Sequence, residues 1–202
     1  MILQSEILRI AEQEGVPPDT IDKNWVLGHF LAELFRSDWA QQNLIFKGGT
    51  CLKKCYFKDY RFSEDLDFTL TNPDFVLSDK PIRTICNNIT DKVGILLSPE
   101  KMQPLVSDNQ LCGYKAIIRF WGANHKRNQQ PTQPQRWLTS IKVEITSYEK
   151  VVDMPSFRIL LDNFSDSQQF TGLKIPCYSI SEIISEKSSK SILKHGISTT
   201  FS

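Results

Sequence analysis

Asp65 and Asp67 stand one residue apart in the run Asp65-Leu66-Asp67-Phe68-Thr69-Leu70. A β-strand alternates its faces with period two. Asp65, Asp67 and Thr69 therefore project one way, and Leu66, Phe68 and Leu70 the other. The apolar set can be buried while two carboxylates are presented side by side on the opposite face. Carboxylates held that close repel each other unless a cation lies between them. Hard oxygen ligands with spare coordination positions suit Mg²⁺, which is commonly held by one or two carboxylates plus substrate phosphates. About fifteen residues upstream, the apolar run Leu44-Ile45-Phe46 ends at Gly48-Gly49-Thr50. Two glycines let a backbone approach a ligand closely. Free N–H groups at a helix start receive phosphate oxygens. Thr50 is placed as the N-cap of a helix beginning near Cys51. Together the two motifs read as a metal-dependent nucleotide site.

The elements around these residues follow from periodicity. Leu27, Phe30, Leu31 and Leu34 recur at helical steps, and Pro17-Pro18 separates that helix from an earlier one over residues 5–14. Ile82, Ile85, Ile89, Val93 and Leu96 mark one long helix after the carboxylate strand. Residues 114–121 and 138–146 read as strands, with the polar residues 122–136 as a loop between them. In the second strand Ile141, Val143 and Ile145 oppose Ser140, Lys142, Glu144 and Thr146. If that strand lies beside the one carrying Asp65 and Asp67, Glu144 becomes a third acid on their face. Ser179-Ile180-Ser181-Glu182 has the spacing of a capping box. This order of elements predicts an α+β fold, a small mixed or antiparallel sheet with helices flanking it.

Composition sets bounds without identifying chemistry. The chain has 202 residues, with 24 Lys+Arg against 23 Asp+Glu and a net charge of +1. Bulk charge therefore gives no argument for a nucleic-acid partner, although His125-Lys126-Arg127 with Arg136 forms a local basic patch. Hydrophobic content of 40% fits a folded domain. No apolar run reaches membrane-spanning length and the start lacks a signal-peptide pattern, so a cytoplasmic protein without a membrane partner is expected. Five cysteines are an odd number and read as free thiols rather than a disulfide framework. A zinc site would need a second closely spaced pair beside Cys51 and Cys55.

Residues 46–53, Phe-Lys-Gly-Gly-Thr-Cys-Leu-Lys, followed by residues 61–68, Arg-Phe-Ser-Glu-Asp-Leu-Asp-Phe, resemble the AbiEii/AbiGii toxin family of nucleotidyltransferases. The resemblance extends to the strand around Glu144 and to Glu186-Lys187. It implies the polymerase β-like fold and a type IV toxin–antitoxin or abortive-infection toxin. It further implies transfer of a nucleoside monophosphate from an NTP to an acceptor, RNA at a tRNA 3′ end, with a cognate antitoxin as partner. Asp65, Asp67 and Glu144 would hold two Mg²⁺ ions. Gly48, Gly49, Thr50, Lys53 and Lys187 would bind the triphosphate, and Arg61 and Ser63 would brace the carboxylate strand. The alternatives are transfer to a small molecule of antibiotic type, or a truncated member that binds a nucleotide or partner without catalysis. Residues 1–155 are assigned to the nucleotidyltransferase core with its N-terminal helices, and residues 156–202 to a shortened C-terminal helical segment. The family's Arg-Asp-x-x-Asp-like motif beyond the lysine is not found here, so irregular structure past Lys187 and impaired catalysis are expected.

Overall fold

The computed structural model describes residues 1–72, 74–126 and 128–186. The chain opens with three helices, α1 (Gln4–Glu14), α2 (Pro18–Leu34) and α3 (Asp38–Asn43), and enters the sheet at β1 (Leu44–Lys47). A short helix α4 (Gly48–Cys51) runs directly into a π-helical turn (Leu52–Tyr56), closed by the Phe57 N–H donating to the Leu52 carbonyl at 2.7 Å. Next come β2 (Asp65–Leu70), α5 (Asp79–Val93), β3 (Leu96–Pro99), β4 (Gln103–Ser107), β5 (Gln110–Trp121) and β6 (Ser140–Thr146). Strands β7 (Ser156–Arg158) and β8 (Ile175–Cys177) follow, and helix α6 spans residues 180–186.

The result is an α+β fold built on one mixed sheet in the order β3-β5-β6-β2-β1-β8-β7, with β4 paired to β5. Strand β2 runs parallel to β6, and β1 parallel to β8, while the remaining pairs are antiparallel. The sheet is larger than the four strands legible in the sequence, because β3, β4, β7 and β8 add to it. Residues 156–158 and 175–177 thereby join the same sheet as the N-terminal part, rather than forming a purely helical segment.

The core lies on the face bearing Phe46, Leu66, Phe68, Ile141, Val143, Ile145, Ile118 and Phe120, all buried. Helix α2 supplies Trp25, Leu27, Phe30, Leu31 and Leu34 to that core, and α5 supplies Ile82, Ile85 and Ile89. Leu96, which continues the helical stripe in the sequence, starts β3 instead. Gly94 ends α5 at φ +83°, a left-handed conformation that glycine adopts without steric cost. No described helix is long and apolar enough to cross a membrane.

One buried acid ties α2 to the end of β5. Asp22 accepts the Ala123 N–H at 2.7 Å, and it packs so tightly on Gly122 that a Cβ there would overlap its carboxylate. Burial pushes its pKa from 3.8 up to about 6, despite opposing backbone hydrogen bonds. A carboxyl raised by folding binds its proton better in the native state. Its contribution is therefore full below the unfolded value and is lost as pH rises through about 6. A shift of about two pH units is worth on the order of 3 kcal/mol. Urea unfolding of the wild type and Asp22→Asn across pH 3 to 7 should show this much extra loss in the wild type between about pH 4 and 6.

Candidate active site

Strand register brings the acids together. The β2–β6 pairing sets Asp65 opposite Lys142 and Asp67 opposite Glu144. Paired residues share a face, so Asp65, Asp67 and Glu144 stand on the side of the sheet away from the core. Asp65 and Glu144 are exposed and Asp67 is half-buried. Across the same row Lys47 of β1 partners Asp67, and Lys115 of β5 partners Glu144. The Lys142 ammonium lies 4.0 Å from Asp65 Oδ1.

A cleft of about 70 Å³ opens on this row, lined by Lys47, Gly48, Asp67, Glu144, Glu149 and Glu186 among others. Four carboxylates and one ammonium leave it a formal excess of three negative charges. Two of these acids are invisible to strand periodicity. Glu149 lies in the loop after β6, where it pairs with the buried Lys47 and accepts the Thr146 hydroxyl at 2.6 Å and the Thr69 hydroxyl at 3.2 Å. Thr69 in turn shares a hydrogen bond of 2.8 Å with the Tyr178 hydroxyl. With the Thr69 proton directed to Glu149, Tyr178 is the donor. Burial raises the Tyr178 pKa to about 12, which keeps that proton in place. Glu186, on α6, comes within 3.6 Å of the same lysine. The floor of the cleft is thus a connected polar network in which the buried Lys47 charge is paired with a carboxylate that itself accepts two hydroxyls, as burial demands.

The glycine turn sits against this row. Helical hydrogen bonding begins at Gly48, so Lys47 rather than Thr50 occupies the N-cap position. Thr50 is buried and its hydroxyl donates to the Asp65 carbonyl at 2.5 Å, anchoring the turn to β2. That proton is committed to the strand, which corrects the capping role read from the sequence. Gly48 has φ +80°, and a Cβ at this position would fall on the Asp67 carboxylate. A Cβ on Gly49 would lie 3.1 Å from Ser63 Oγ, so Ser63 does pack on the turn, whereas Arg61 is exposed.

Lys53 is placed elsewhere. Its ammonium donates to the Lys58 carbonyl at 2.7 Å, lies 4.3 Å from the Phe62 ring centroid, and lines a separate cleft with Lys54 and Asp162. Lys187 and Arg127 lie outside the described residues. The expected capping box is half realised. The Glu182 N–H donates to Ser179 Oγ at 3.1 Å, but the Glu182 carboxylate accepts the Val152 N–H at 2.7 Å instead of returning to the cap.

The chemistry of these donors suits a divalent ion. They are all hard oxygens, they carry surplus negative charge, and the Asp67 carboxylate packs directly on Gly48 of the turn. Gly48→Ala should show the value of that space. A left-handed non-glycine residue costs about 1–3 kcal/mol, and the new methyl must displace Asp67. A melting curve should record the stability loss, and Mn²⁺ titration should record weaker binding than in the wild type.

Residues 29–189 match the family model described as nucleotidyl transferase AbiEii toxin, type IV TA system. Among solved structures, MenT4, a nucleotidyltransferase toxin from Mycobacterium tuberculosis H37Rv, superposes with a TM-score of 0.62 at 20% identity. The match covers 94% of this chain and 59% of that one, so the chain spans about three-fifths of MenT4's length. Likeness at that identity speaks to the fold, a nucleotidyltransferase toxin fold. No curated protein sequence matches the chain.

Proposed function

Because the chain belongs to the AbiEii family of nucleotidyl transferase toxins of type IV toxin–antitoxin systems, we propose that it transfers a nucleoside monophosphate from an NTP to RNA, at a tRNA 3′ end, and is held in check by a cognate antitoxin. The observation that carries this reading is the in-register pair Asp67 and Glu144 on adjacent parallel strands, with the Gly48 turn seated on Asp67. Asp65, Asp67 and Glu144 would hold the two Mg²⁺ ions that the family chemistry calls for. Bound there, the ions would neutralise phosphate charge and polarise the reacting oxygens.

The chain's own residues supply the rest. Backbone N–H groups of the first turn from Gly48 lack intrahelical partners and are available to phosphate oxygens. Lys47, buried and paired to Glu149, fixes the floor under Asp67. Lys142 offers a cation beside Asp65 for the incoming triphosphate. In this reading Lys53 is replaced as a phosphate ligand by Lys142, while Lys187 keeps the role that the family resemblance implies. Ser63 and Thr50 hold the turn to β2.

An RNA acceptor is favoured by the same face of the sheet. Beyond Glu144 it continues through Lys115, Lys142 and Arg119 to Trp121, by the alternation of β5 against β6. Trp121, His125, Arg136 and Trp137 then line a cleft of about 330 Å³. Cations followed by aromatic rings suit a phosphate backbone with unstacked bases. Incubating the chain with each labelled NTP, Mg²⁺ and total RNA should label RNA. Label appearing only on small molecules, or none with any NTP, would overturn the proposal.

A further inference from the structure

Cys51, Cys55 and Cys177 bring their sulfurs within 4.8 Å of one another, and all three are buried. Cys51 closes α4, Cys55 lies in the π-helical turn that follows, and Cys177 ends β8 opposite Phe46 of β1. The sequence shows only the first two as neighbours. The third arrives through the parallel β1–β8 pairing, from 122 positions beyond Cys55. The three thiols are free, and among the described residues no other His, Cys, Asp or Glu group converges as closely.

We propose that Cys51, Cys55 and Cys177 form a binding site for one soft monovalent d¹⁰ cation, copper(I), held by three sulfurs. The donor set is purely sulfur, which selects copper(I), zinc or iron–sulfur chemistry over hard ions. Structural zinc takes four ligands, and here the site offers three donors in a place sealed from water. A three-coordinate ion is the one that such a set completes. One cation lies directly beside the cluster, where the Arg158 Nε–H donates to the Cys55 carbonyl at 3.3 Å. Lys54, next to Cys55 in the π-helical turn, is paired with Asp162. Each thiol that becomes a thiolate ligand releases its proton to solvent.

Entry would be by local opening at the β7 edge of the sheet. Strand β7, at the edge, and β8, beside it, are three residues each. Short strands near an edge open locally at lower cost than the core. Binding would clamp the helix carrying the Gly48 turn to β8, whose next residue, Tyr178, donates its N–H to Phe46 at 2.9 Å and its hydroxyl to the cleft floor.

Copper(I) should be offered anaerobically to the fully reduced chain from a coloured copper(I) chelate. One ion per chain should transfer, the melting midpoint should rise, and X-ray absorption should count three sulfur neighbours. Cys177→Ser should weaken binding by more than the roughly 10–100-fold expected of an outer-shell change, and Cys112→Ser should leave it unchanged. A folded Cys177→Ser protein that binds copper(I) as the wild type does would overturn the site. So would two sulfur neighbours instead of three in the wild-type spectrum, a reading independent of any variant's folding. Zinc(II) binding as tightly as copper(I) would overturn the ion assignment.

Discussion

Asp67→Asn should abolish nucleotidyl transfer while leaving the fold intact. The side chain is half-buried on the face opposite the core, so no apolar packing is lost. Its removal lowers the negative excess of the cleft from three charges to two. If the bound ions supply about 4 kcal/mol of charge stabilisation in the transition state, losing their central ligand costs about a thousandfold in rate. Asp65→Asn should also inactivate, but Asp65 is exposed and faces Lys142 at 4.0 Å, so its loss perturbs the unliganded cleft less. Mn²⁺ affinity and melting temperature, measured beside transfer, separate the effects. Near wild-type transfer by Asp67→Asn would sink the metal-dependent mechanism. A lowered melting temperature with normal Mn²⁺ affinity would make Asp67 a structural residue.

The sequence was informative wherever one face of an element had to be apolar. Alternation in β2 and β6 sorted Asp65, Asp67 and Glu144 onto one face before any strand order was known, and only their adjacency awaited the structure. The glycine pair was legible for a related reason, since φ +80° at Gly48 against a carboxylate suits only glycine. What stayed hidden depends on contacts distant in sequence. Lys47 closes an apolar run and looks like a strand end, yet it is buried because Glu149, 102 positions later, pairs with it. Glu149 lies in a loop with no periodicity, and Tyr178 follows a three-residue strand too short to show any. Lys53 shares a local motif with the glycine turn, but the π-helical winding after Cys51 carries it to another cleft. The hairpin between β4 and β5 did carry a local signal. Asp108-Asn109, both at positive φ, form the two-residue turn that favours such residues.

The largest stability effect should come from Lys54. Two per cent exposed, it donates to the Asn24 carbonyl at 2.6 Å and to Asp162 Oδ1 at 2.5 Å. Burial lowers its pKa, and Asp162 opposes that shift. Asp162 is itself buried, and its other carboxylate oxygen packs on Gly28, where any Cβ would collide with it. Both charges have left water, so the pair contributes little net stability, but each depends on the other. Lys54→Met leaves a buried carboxylate without its cation, and removing one partner of such a pair costs about 3–5 kcal/mol. Asp162→Leu alone should cost a similar amount by stranding the ammonium. The double variant Lys54→Met/Asp162→Leu removes both charges together. It should recover most of the loss, giving a coupling energy well beyond the roughly 0.5 kcal/mol scatter of independent sites. Urea unfolding of the four proteins closes the cycle. Additive losses would show that Lys54 acts through its hydrocarbon stem and the Asn24 contact, and that the ion pair between the π-helical turn and the chain after β7 does not hold those segments together.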